Sequence, residues 1–352
     1  MKQRIKYLDG LRGVAILLVI LFHAYARWTA LVPYGELYSE IFIFKFGWLG
    51  VQSFFMISGY VILMTLENSK DRKDFLYRRW IRLFPAMLAS SFIIFITSYF
   101  FVERPNGQPN WQSLLPGLTF IEPGWWALAL GHPIVSLEGA FWSLFVEFKF
   151  YIFCSIIYFW SGRNALMWAL IGAFLLFVLT KIADNYFGFG VTKIFVKICE
   201  NLSFQYFGWF FSGAAFYIYM QKKTAAMLGI ALSASFAASV VTANSDWSQF
   251  IAACIVALIF PVSQNFSVIQ SLLGNKFIQF FGVVSYPLYL IHENMMVSII
   301  IKLGSFNEFM GSILLPLPAI AVISFAAYLI NKYVEPCVKF VLIKIAGQFY
   351  NS

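Results

Sequence analysis

Long apolar runs separated by short polar stretches dominate this chain. Runs of spanning length fall near residues 13–32, 47–66, 83–102, 140–160, 165–182, 202–220, 225–242, 247–264, 281–303 and 310–331. Each is close to the ~20 residues that carry a helix across a bilayer's hydrocarbon core. The pattern predicts an all-α polytopic membrane protein with about ten transmembrane helices. Residues 1–352 read as a single integral-membrane domain with no appended soluble domain and no inverted repeat. Two connections are long. Residues 67–82, "ENSKDRKDFLYRRWIR", are basic. Residues 103–139 carry Pro105, Pro109, Pro116, Pro123 and Pro133 with several Trp, which predicts an ordered interfacial segment rather than a helix.

Charge orients this array. With the N-terminus in the cytoplasm, the inner segments hold 17 of the 25 Lys and Arg residues, from Lys2 and Arg4 through the basic loop to Lys344. The outer segments hold seven (Arg27, Lys45, Arg104, Lys181, Lys193, Lys197 and Lys302), and Lys149 falls within a span. That asymmetry predicts both termini inside, as an even number of helices requires. The net charge of +9 is thereby a topology signal and calls for no nucleic-acid partner. At 61% hydrophobic and 12% charged residues, the composition lies far from that of soluble domains. "MKQRIKYLDGLRG" followed by an apolar run and Ala24-Tyr25-Ala26 mimics a signal peptide, but with so many later spans an uncleaved first helix is the better reading. Four scattered cysteines show neither zinc nor disulfide spacing.

Ionisable residues inside spans are expensive and mark functional sites by default. His23 follows Arg12 by eleven residues, about 16 Å along a helix. With Arg12 at the cytoplasmic mouth, His23 falls near mid-membrane. Glu147 in "FWSLFVEFKFY" and His292 in "SYPLYLIHEN" reach similar depth on other helices. Together they predict one buried polar cavity, with Ser58, Tyr151 and His292 lining it. Each has an ordinary alternative: an interhelical hydrogen bond for either histidine, a Lys149 pair for Glu147, and close helix packing for Ser58-Gly59. Arg78, Arg79 and Arg82 read alone as positive-inside charge.

Five stretches occur in order: "LDGLRGVAILLVILFHAYARW", "FFMISGYVI", "FLYRRWIRLFPA", "FWSLFVEFKFY" and "SYPLYLIH". In that order they resemble the acyltransferase-3 family, integral-membrane enzymes that acylate carbohydrates and other extracytoplasmic acceptors. The resemblance runs from about Tyr7 to Glu335. It implies that Arg12 and His23 form the family's basic-residue, ten-residue spacer, histidine motif, whose histidine is catalytic. It also implies that Arg78, Arg79 and Arg82 form the family's arginine cluster, and that Glu147 is its acidic residue after Trp-Ser-Leu. Phe148 and Lys149 replace the second acid and Gln found in many members. The C-terminal hydrolase-like domain of some members is not seen, so a second transfer step would need a separate partner.

The resemblance implies an O-acyltransferase of the cell envelope in the inner (plasma) membrane. No cofactor is bound permanently; acetyl-CoA or another acyl-CoA is the donor substrate. The acceptor is a hydroxyl of an extracytoplasmic carbohydrate or lipid-linked glycan such as O-antigen or exopolysaccharide. Arginine suits the phosphates of the donor, giving Arg12, Arg78, Arg79 and Arg82 the donor-binding role. His23 is the expected general base, with Glu147 orienting its ring. A covalent acyl-enzyme through His23 or Ser58 is the mechanistic rival. A proton-coupled transporter using His23, Glu147 and His292 as a relay is the functional rival, and a scaffold gains nothing from buried charge.

The charge balance makes one direct prediction. Cysteines introduced at Asn68 and Asn106 should differ in labelling by an impermeant outside reagent, with only the second reacting. Equal labelling would contradict the topology.

Overall fold

The computed structural model describes residues 6–306 and 312–350. Lys2 and Arg4, and the start of the run expected from 310, lie outside those residues. The described residues are helical and form no strand. The principal helices are α1 (Lys6–Phe22), α2 (Gly50–Leu66), α3 (Arg72–Thr97), α4 (Trp142–Phe187), α5 (Gly190–Asn201), α6 (Phe207–Lys222), α7 (Ala225–Ala243), α8 (Trp247–Asn265), α9 (Lys276–Phe306), α10 (Pro316–Leu329) and α11 (Glu335–Tyr350).

Every expected apolar run contains helix, but fewer helices qualify as spans. Among the described residues seven are long and apolar enough to cross a membrane, or eight if one bent pair counts as a single span. Three local features account for the difference from ten. The runs at 140–160 and 165–182 form two helices that meet at a kink at Gly162, with φ of 78°, and the seven take them as one. Helix α6 has 16 residues, about 24 Å at the usual rise, which is short of the hydrocarbon thickness. The segment Trp247–Ser263 bends by 104° into Ser267–Leu273. Helix α1 starts earlier than expected, because Asp9 in its first turn holds Arg12 at 3.0 Å across one turn. The 103–139 connection is also more structured than expected, with short helices at Leu114–Thr119 and Pro123–Leu130.

The chain forms two compact units. The first comprises residues up to 15, 49–77 and 146–275. Its centre is the crossing of α2 on α6, where two glycines let the backbones meet. A Cβ on Gly59 would stand 2.0 Å from the Phe210 carbonyl oxygen, and one on Gly213 would stand 1.9 Å from that of Met56. Small residues at such crossings are how helices associate where lipid removes the hydrophobic drive. Phe150 of α4 then stacks on Phe210, with ring centroids 3.8 Å apart. At one end of this unit Glu67 accepts from Arg163 (3.0 Å), Tyr217 (2.7 Å) and Gln221 (3.1 Å).

The second unit comprises residues 16–48, 78–145 and 276 onward. Its axis is α9, packed against α10 and largely buried. Tyr286 of α9 donates to the Leu83 carbonyl of α3 at 3.0 Å, and Lys302 pairs with Glu103 at 3.0 Å. Pro287 lies inside α9 rather than in a turn before it, five residues ahead of His292. Such interruptions are tolerated in membrane helices because neighbours satisfy the freed backbone groups.

The glycine crossing sets a stability prediction. Gly59→Ala or Gly213→Ala should lower stability by about 1–3 kcal/mol, the range for overpacking a well-filled interface. A thermal melt in detergent would show it as a lower midpoint; unchanged midpoints for both would mean that the contact does not hold the unit together.

Candidate active site

The second unit brings two histidines and a buried carboxylate together at the end of α1. Helix α1 widens there into a π-helical turn, His23–Arg27. Such turns are rare and concentrate at functional sites. His23 opens the turn, so it falls in the last five residues of the candidate span Lys6–Arg27 rather than at its middle. The earlier start of α1 produces that shift.

Partners assign the two imidazoles. His292 Nδ1 lies 2.8 Å from the Tyr289 carbonyl, which can only accept, so Nδ1 carries the hydrogen and Nε2 is an acceptor. That Nε2 faces His23 Nδ1 at 3.3 Å, and His23 Nδ1 also lies 2.9 Å from the Val19 carbonyl. His23 therefore holds its hydrogen on Nδ1. Its Nε2 is left as the basic nitrogen, facing Glu293 Oε1 at 3.6 Å, just beyond a hydrogen bond. The rings meet edge to face with centroids 4.7 Å apart. Exposure separates their roles: His292 is fully buried and Glu293 nearly so, whereas the His23 side chain is 12% exposed. His23 is the most exposed of the three.

Three consecutive residues of α9 reach three sets of partners. His292 backs His23. Glu293 Oε2 accepts from the Ala140 N–H at 2.7 Å. Asn294 donates to Glu138 Oε2 from its backbone (3.0 Å) and side chain (2.8 Å), and to the Leu137 carbonyl at 2.9 Å; its Oδ1 accepts from the Asn106 N–H at 3.1 Å. Arg104, buried, donates to the Leu137 carbonyl. Ser143 and Tyr289 share a hydrogen bond of 2.7 Å, and the Tyr289 hydroxyl donates to the Ala140 carbonyl at 2.8 Å. Burial and the nearby Glu293 charge push the Glu138 carboxyl up to about 8, against the opposing pull of Arg104 and Asn294. Burial likewise draws Arg104 below its usual range.

Glu147, the acid expected beside His23, belongs to the first unit. There it accepts from the hydroxyls of Ser58 and Tyr151. The structure thus joins Ser58, Tyr151 and Glu147 in one cluster, and His23 and His292 in another. The carboxylate that meets His23 is Glu293. Its signal was present in the sequence, since an acid directly follows His292 inside an apolar run. Lys149 donates to the Asn201 carbonyl at 2.7 Å. Arg78 and Arg82, one turn apart on α3, are exposed, whereas Arg79 between them is buried. Arg12 is part-buried on Asp9. The four cysteines are free thiols.

Comparison with known proteins identifies the family of the chain. A family model described as "Acyltransferase domain" matches residues 5–332. The peptidoglycan O-acetyltransferase OatA of Listeria monocytogenes is 28% identical over 167 residues, covering 43% of this chain and 24% of that protein. A putative O-acetyltransferase of Staphylococcus aureus (strain COL) is 29% identical over 162 residues, with the same coverage of 43% and 24%. The O-acetyltransferase OatA of Staphylococcus aureus (strain NCTC 8325 / PS 47) is 28% identical over 165 residues, again at 43% and 24%. The matched stretch thus spans about a quarter of these relatives. No solved structure matches.

Glu138 makes a pH prediction. Its folded form holds a proton up to about pH 8, while an unfolded glutamate releases it near 4.5. Folding therefore takes up a proton between those values, and this group's contribution to stability declines as pH rises through that window. Glu138→Gln, which cannot ionise, should lose less stability than wild type in melts between pH 5 and pH 8. Parallel curves would contradict a protonated Glu138.

Proposed function

The chain belongs to the acyltransferase domain family, and on that premise we propose that it is a membrane O-acyltransferase. It moves an acyl group, acetyl by preference, from cytoplasmic acyl-CoA to a hydroxyl of an extracytoplasmic cell-envelope glycan. The membrane is the inner (plasma) membrane. The observation that supports this most is the one-sided setting of His23. One ring nitrogen is tied to Val19 and His292, and the other is left basic on a side chain that keeps some exposure. That is the arrangement a general base needs.

In this reading His23 Nε2 takes the acceptor's hydroxyl proton as its oxygen attacks the thioester carbonyl. The acyl–oxygen bond forms, the acyl–sulfur bond breaks, and the proton passes from the imidazolium to the departing thiolate. Glu293, 3.6 Å from Nε2, stabilises the imidazolium while it exists. The orienting role first expected of Glu147 thereby passes to Glu293. Glu147, holding the hydroxyls of Ser58 and Tyr151, offers a carboxylate suited to gripping sugar hydroxyls. Arg78 and Arg82 present two exposed guanidinium groups for the donor's phosphates, with Arg79 buried between them. Arg12 is a further donor contact, oriented by Asp9.

His23→Ala tests the reading. Transfer should fall by roughly 10²–10⁴, the usual contribution of a positioned base, while donor binding stays near wild type. In contrast, Arg78→Ala should weaken donor binding by about 1.5–3 kcal/mol and Arg78→Lys should recover it only in part. A folded His23→Ala protein that transfers at the wild-type rate would end the base assignment.

A further inference from the structure

Glu293 sits where an ordinary residue at 139 would not allow it. A Cβ on Gly139 would stand 2.9 Å from Glu293 Oε2 and 3.1 Å from Oε1, displacing the carboxylate itself. The next residue, Ala140, supplies the 2.7 Å N–H that holds Oε2, which leaves Oε1 aimed at His23. The preceding residue, Glu138, holds Asn294 beside it. Arg104, from the start of the same connection, is buried, donates to the Leu137 carbonyl, and lies within electrostatic reach of both Glu138 and Glu293. The ionisable groups around Glu293 are thus His23 on the π turn, His292 on its own helix, and Arg104 and Glu138 on the connection. Arg104 is the buried fixed cation of that set.

We propose that the 104–140 connection is a positioning element for the His23–Glu293 pair. Gly139 and the Ala140 N–H fix where the carboxylate stands, and Arg104 fixes its charge. The proposal rests on His23 being the base. It assigns Gly139 and Arg104 as positioning residues that touch no substrate. A neutral Glu138 fits the same scheme, because it leaves one cation facing one carboxylate.

The test is acyl transfer by purified full-length protein, recorded as kcat, donor KM and the pH dependence of the rate. Gly139→Ala should lower kcat about 10- to 100-fold, as expected for a group displaced by about 1 Å, with donor KM unchanged. Arg104→Gln should move the acidic edge of the rate profile to higher pH. Removing the buried cation makes a proton on the pair easier to retain. Arg104→Lys, which restores the charge without the guanidinium fork, should return that edge toward wild type. Should Gly139→Ala not fold, the two Arg104 variants carry the test alone. A merely structural role would lower the rate at all pH values without moving the edge. His23→Ala in the same assay separates the two ideas: wild-type transfer by it overturns both. An inactive His23→Ala alongside unaltered Gly139→Ala and Arg104→Gln profiles overturns the positioning role alone.

Discussion

A carboxylate enclosed by apolar helices is tolerable only when donors or a cation surround it, and Glu293 imposes that demand on its whole unit. The answer is assembled from three places. The amide comes from Ala140, the imidazole from the π turn at the end of α1, and the positive charge from Arg104. Meeting the demand folds the 103–139 connection inward. Asn106, Leu137 and Glu138 bond to Asn294 of α9, and Arg104 braces Leu137, so the two ends of the connection are tied to the unit.

The carboxylates of Glu147 and Glu293 are handled differently. Glu147 takes two hydroxyl donors, which suits holding. Glu293 takes one fixed amide and faces one titratable ring, which suits proton exchange. The difference in partner type, not in acid type, divides the roles.

Much of this was legible in the chain. Every apolar run of spanning length holds helix, and the isolation of His23 and His292 in apolar sequence marked both as special. Their direct contact was not legible, because 269 residues separate them and nothing local encodes a tertiary pairing. The role of Glu293 was hidden by its neighbour: a His-Glu pair reads as one polar spot, although successive helical residues point about 100° apart. Arg104 was counted only as an outer charge, since a loop arginine gives no sign of burial. Gly59 read correctly as a packing residue, while Ser58 beside it turns to Glu147. The ten expected spans exceed the seven found by length because the helices meeting at Gly162 are taken as one, α6 is short, and Trp247–Ser263 bends into the next helix.

The most direct measurement is the appearance of free thiol from acetyl-CoA with purified protein in nanodiscs, followed together with acylated glycan acceptor. The account predicts that thiol forms only when acceptor is present, and in equal amount to the ester produced. Proton-coupled movement of acceptor across the membrane with no thiol released would contradict it.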